Sequence, residues 1–223
     1  MESKKKPFWD LEENNGFINI RAWDGIDYNV WNQGTRENLQ KVADILANVR
    51  YDINRLLVYI YTHPKDWKDH PIAYGIYHTF KLHTPNIKHE DFFKENVIKI
   101  INSGRSLFNY QEMTPNNLGI LGLNKPKETT EVPLILDGKK IYYELATKRS
   151  IFLTIRPRIS SGKGNPDVFD TYDKILDLAI HELTHTTCND TRWKSDNHKK
   201  PYPEYHDIMR KFAKECGILK SKK

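Results

Sequence analysis

The stretch LAIHELTHTT, residues 178–187, sets the tightest constraint on this chain, because it places His181, Glu182 and His185 within five consecutive positions. Histidines at i and i+4 project from one helix face, a single turn apart. Two imidazoles so placed can bind one Zn²⁺ at about 2.0–2.1 Å. Glu182 is offset by one residue and points to the side, where it can reach a water on the ion without ligating the ion itself. The neighbours Leu178, Ala179, Ile180, Leu183 and Thr184 carry no charge, which suits a helix buried around a site. The blander possibility is a core helix whose two histidines are satisfied at the surface.

A catalytic zinc takes three protein ligands and leaves a fourth position to water, whereas a structural zinc takes four. The chain has nine histidines, none between His89 and His181 and four at positions 181, 185, 198 and 206. Downstream of the motif, His198, Glu204 and His206 are the candidates for a third ligand. Cys188 is soft enough to ligate as well, although a buried free thiol is the commoner fate of such a residue. A zinc held here would acidify water and polarise a carbonyl. Glu182 would take the water's proton and return one to a leaving amine. Tyr202, Tyr205 and His206 are candidate donors to the resulting oxyanion. Trp193 and Tyr202 either line the cleft or pack.

With 223 residues, 38% of them hydrophobic, the chain can bury one sizeable core. A charged fraction of 29% argues against wholesale disorder. No run approaches the ~18–20 apolar residues of a membrane span. The opening MESKKKPFWDLEENN has lysines but no apolar run behind them. The expectation is therefore an intracellular chain, in cytoplasm or nucleus, neither secreted nor membrane-bound. Cys188 and Cys216 are too few for a disulfide framework. The net charge of +6 is partly terminal, at Lys4, Lys5, Lys6, Lys220, Lys222 and Lys223. Such lysines are solvated tails or an arm drawn to phosphate, and no nucleic-acid reader motif accompanies them.

Along the chain, Thr35 can cap a helix that carries Leu39, Val42, Ala43, Ile45, Leu46, Val49 and Ile53 toward one side and stops at His63-Pro64. Further helices are expected over Pro71–Leu82 and from about Glu90 to Asn102, with Gly104 as a stop. Residues 114–127 read as a turn-rich loop. Asp137-Gly138 between two apolar runs signals a hairpin. With a turn at Thr147-Lys148-Arg149 and a third run from Ser150 to Arg156, residues 131–156 read as a three-stranded antiparallel meander. A helix from about Val168 to Thr187 carries the motif. A last helix begins near Pro203 and stops at Gly217. The expected architecture is α+β, with a helical region over 1–110 packed on a catalytic region over 111–223. Ser150–Arg156 is expected to be an edge strand beside the motif helix, able to hold a peptide by main-chain hydrogen bonds.

The segment HELTHTTCNDTRWKSDNHKKPYPEYHDIMRKFAKECG resembles the WLM and SprT-like zinc metallopeptidases. In that family a helix bearing the motif is followed by a loop, and a third histidine precedes a helix with a Pro-Glu-aromatic start. Pro203-Glu204-Tyr205 looks like that start and His198 like that histidine. The resemblance covers about residues 150–218 and extends to stand-alone forms in large DNA viruses. It implies a zincin-like core, Zn²⁺ on His181, His185 and His198, Glu182 as general base, and protein substrates that include DNA-linked or conjugated proteins. Two rival functions remain open at this point. One is a basic nucleic-acid- or chromatin-associated protein with structural zinc; the other is an inactive protease scaffold.

Overall fold

The computed structural model describes residues 16–64, 67–83, 90–102, 104, 106–114, 121–136, 139–157, 165–188 and 201–220. Strands β1 (Phe17–Arg21) and β2 (Asp27–Trp31) form an antiparallel hairpin. Its turn holds Gly25 at φ 76°, a backbone region that side-chain-bearing residues rarely adopt. Helix α1 (Arg36–Thr62) follows, capped as expected by the Thr35 hydroxyl accepting from the Asn38 amide at 3.2 Å. A 3-10 turn (Trp67–Asp69), α2 (Pro71–His83), α3 (Glu90–Asn102) and β3 (Phe108–Glu112) come next. Strands β4 (Gly122–Leu136) and β5 (Lys139–Leu153) then lead to α4 (Tyr172–Thr187) and α5 (Tyr202–Glu215).

The five strands make one mixed sheet in the order β1-β2-β3-β5-β4. Its β3 runs parallel to both β2 and β5, and β4 pairs antiparallel with β5. The connection from β2 to β3 passes through α1, α2 and α3, the crossover that a parallel pair requires. Alternation gives the sheet a core face: Tyr28 and Val30, Phe108 and Tyr110, Ile151 and Leu153 are all buried. Against that face lies α1, with Val42, Ala43, Leu46, Val49, Ile53, Leu56, Leu57 and Ile60 fully buried.

The α+β class and the five helices agree with the sequence reading, but the sheet does not. It is five-stranded and mixed, not a three-stranded antiparallel meander. The supposed turn at Thr147-Lys148-Arg149 lies inside β5, since none of these residues supplies the turn chemistry of Gly, Pro, Asn or Asp. Ser150–Leu153 is consequently the end of an interior strand, flanked by β3 and β4, and the edge position belongs to β4. The expected loop over 114–127 is strand from Gly122 onward. The first 110 residues are not wholly helical, because β1, β2 and part of β3 lie within them and join the same sheet as β4 and β5. Helix α4 starts at Tyr172 rather than Val168, because the Asp170 amide still donates to the Ile155 carbonyl at 3.0 Å. Among the described residues no helix is long and apolar enough to cross a membrane.

One buried ion pair locks the sheet to the segment after β2. Arg156 is completely buried and grips Glu112 with two bonds, Nε to Oε1 at 2.7 Å and Nη2 to Oε2 at 2.6 Å. The same guanidinium donates to the carbonyls of Trp31 and Gln33, and the Trp31 amide donates to Glu112 at 2.8 Å. Removing one partner strands the other charge in the core, which costs about 3–5 kcal/mol. An Arg156→Met variant should therefore lose that much stability in urea unfolding, and Arg156→Met/Glu112→Leu should recover most of it. Equal losses in the single and double variants would contradict the account.

Candidate metal and carboxylate site

Helix α4 buries Ile175, Leu176, Ala179, Ile180 and Leu183 in the core. That anchorage fixes where its last two turns point. His181 and His185 are half-buried on one face, with ring centroids 5.1 Å apart. Two imidazoles sharing a tetrahedral ion at about 2.0–2.1 Å place their centroids about 5 Å apart, so the pair fits a zinc ion in spacing and in donor chemistry.

Helix α5 closes over this face. The His206 ring centroid stands 5.5 Å from that of His181. Tyr202 is buried, with its ring 4.6 Å from His185 and 5.2 Å from His181. Its hydroxyl donates to the His181 carbonyl at 3.2 Å. A hydroxyl has a single proton to give, so in this arrangement Tyr202 packs and positions rather than donating to an oxyanion. An Arg210–Asp177 ion pair at 3.1 Å adds a second tie between α5 and α4.

Of the expected third ligands, His198 lies outside the described residues, as does Trp193. Glu204 is exposed in the first turn of α5, and Tyr205 is half-buried against the core. Among the described residues no three His, Cys, Asp or Glu side chains converge closely enough to hold an ion. Cys188 sits half-buried at the end of α4, with its sulfur 3.8 Å from the Thr187 hydroxyl.

Glu182 is the singular member of the cluster. It is only 5% exposed, and among the described residues its carboxyl has no hydrogen bond or ion pair. Burial pushes its pKa up to about 8. The carboxyl rests against the backbone of Gly122 at the start of β4. A Cβ built on that glycine would stand 2.5 Å from Oε1 and 2.9 Å from Cδ and Cγ. Two residues on, the Asn124 amide donates to the Glu182 carbonyl at 2.5 Å and to the Thr186 hydroxyl at 2.8 Å. From the other side α2 grips the helix end: the Thr79 hydroxyl donates to the Thr186 carbonyl, and Gly75 lies directly on the Thr187 carbonyl.

Gly122, Asn124, Gly75 and Thr79 escaped the sequence reading. The faint signal was the alternation Leu121-Gly122-Leu123-Asn124 inside a turn-rich stretch, which marks a strand. No family model, no curated protein and no solved structure matches the chain.

The raised carboxyl has a consequence for stability. In metal-free protein Glu182 titrates near pH 8 when folded and near 4.5 when unfolded. Between those values the folded state holds the extra proton, so this residue's effect on stability worsens as pH rises from about 4.5 to about 8. A Glu182→Gln variant does not titrate. In chelator-treated protein it should match wild type below pH 4.5 and gain on it progressively, by at most about 4–5 kcal/mol above pH 8. Urea unfolding across that range checks this, and a constant difference between the two proteins would contradict it.

Proposed function

We propose that this chain is a zinc-dependent peptidase that hydrolyses peptide bonds of protein substrates. The observation that carries the reading is a buried carboxyl that meets no counter-charge among the described residues, set between two histidines that stand at the spacing of zinc ligands. An isolated buried carboxyl is costly, and proteins keep such groups chiefly where chemistry uses them.

His181 and His185 would hold the metal, with His198 or, after a closer approach of α5, His206 completing the set. A zinc ion bound there supplies Lewis acidity, making water a nucleophile near neutral pH and polarising the scissile carbonyl. Glu182 takes the proton from the attacking water and delivers one to the departing amine. A buried carboxyl beside the attacking water can both accept and release a proton, which suits a group that does both in one cycle. Tyr202 keeps the two imidazoles from turning away by packing on both rings.

Strand β4 suits the task that the sequence reading gave to residues 150–156. It is an edge strand of the sheet among the described residues and lies beside α4 at Gly122–Asn124. An extended peptide added to that edge would bring its backbone past Glu182 through main-chain bonds that read little side-chain identity. Pro126 offers no amide to such a partner, so the pairing stretch is short and close to the carboxyl. The +6 charge suits protein substrates bound to DNA, the role implied by the WLM and SprT-like resemblance.

Glu182→Gln should keep zinc at wild-type stoichiometry and lose at least about 100-fold in cleavage of an unfolded protein substrate. Cleavage at the parental rate would reject the enzyme reading in favour of structural zinc. Purified wild-type protein without zinc would favour an inactive scaffold. Metal analysis of His198→Ala beside His206→Ala should show zinc lost in one and kept in the other, which identifies the third ligand.

A further inference from the structure

We propose that Gly122 is a positioning residue: its lack of a side chain forms the seat against which the Glu182 carboxyl is held, and Asn124 fastens the same turn of α4 to the same strand. Three observations support it. The three nearest heavy atoms that a Cβ on Gly122 would meet are Oε1, Cδ and Cγ of Glu182, at 2.5, 2.9 and 2.9 Å. The backbone of Gly122 is not in the left-handed region that favours glycine, so conformation alone does not demand glycine here. Glu182 is buried and sits on a helix anchored by core leucine, isoleucine and alanine side chains. The carboxyl therefore cannot yield to a methyl group without leaving its place. The Asn124 bonds to the Glu182 carbonyl and the Thr186 hydroxyl hold helix and strand at the separation that makes this contact close.

The seat itself is a packing fact, while its catalytic effect rests on the peptidase reading. A methyl at residue 122 displaces the carboxyl from the water it serves while leaving the imidazoles and the substrate-binding edge in place. Loss in kcat with little change in KM is the signature of an interaction used in the chemical step and not in binding.

The test is a pair of double-variant cycles on the full-length chain. In thermal melts of metal-stripped protein, Gly122→Ala should lower Tm by about 3–8 °C beside Glu182. In a Glu182→Ala background it should lower Tm by no more than about 1 °C. In peptide cleavage, Gly122→Ala should lower kcat about 100-fold with KM within about twofold and zinc content unchanged. It should cost nothing further in a Glu182→Gln background. If Gly122→Ala does not fold beside Glu182, recovery of folding by Glu182→Ala supports the seat. Failure in both backgrounds overturns it, as do additive melting losses. Coupled melts with an unchanged kcat refute the positioning role. Coupled melts in a wild-type protein that cleaves nothing leave the seat standing and reject the peptidase reading instead.

Discussion

A carboxylate taken out of water has to be met by something, and among the described residues two carboxyls are buried in this core with opposite solutions. Burial pushes Glu112 above the ordinary carboxylate range, and Arg156 and the Trp31 amide pull it back. Both carboxylate oxygens of Glu112 accept hydrogen bonds, and the ion pair serves to weld β2, β3 and the end of β5 together. Glu182 meets no cation among the described residues, and desolvation alone sets its proton affinity. A fold that supplies a guanidinium with four hydrogen bonds to and around one glutamate, yet leaves the other against bare backbone, is not short of the means to compensate charge. The uncompensated carboxyl depends on the surrounding structure being stable enough to carry it.

That support comes from three directions onto one helix end. The last carbonyls of any helix lack intrahelical partners. In α4 the Thr187 hydroxyl donates to the Thr184 carbonyl, and the Thr79 hydroxyl of α2 donates to the Thr186 carbonyl. Asn124 of β4 holds the Glu182 turn, and Tyr202 of α5 holds the His181 carbonyl. Through these bonds the threonines at 184, 186 and 187 help to bury a polar helix end. They look unremarkable in sequence beside the histidines, but they are what allows the imidazoles to sit at fixed positions on a packed element rather than on a fraying terminus.

The parts of this architecture legible in the sequence are those written in local periodicity. Helix α1 shows its 3.6-residue stripe and its threonine cap, and the i, i+4 pairing of His181 and His185 needs only a helix to bring the rings together. The Asp137-Gly138 pair signals a hairpin in sequence, and β4 and β5, which pair antiparallel up to Leu136 opposite Lys139, lie on either side of it. What was illegible depends on partners far along the chain. Gly122 reads as a breaker until the carboxyl of residue 182 is known to lie on it. The run ending in Leu153 reads as an edge until β3, more than forty residues earlier in its pairing with Phe108, is known to flank it. The hairpin of β1 and β2 was missed because its strands are five residues each and are separated by a Trp-Asp-Gly turn in a mainly polar stretch.

The long-range arrangement also explains why the site lies at the rim of the sheet. Helix α1 spans 27 residues, about 40 Å at 1.5 Å per residue. It packs over β1, β2 and β3, and so occupies the middle and one side of the core face. The space left for α4 is over β4 and β5, with β4 the last strand. A helix at that margin has one flank on the sheet and one beyond it. Leu183, Ala179 and Ile180 fall on the inner flank and are buried; His181 and His185 fall where α4 passes the rim and are half-buried. Glu182 is caught at the boundary, where the only way to pack a carboxyl against the sheet edge is to remove the side chain beneath it. The course of α1 over β1, β2 and β3 thus leaves α4, with its half-buried histidines and buried carboxyl, beside β4 at an edge of the described sheet.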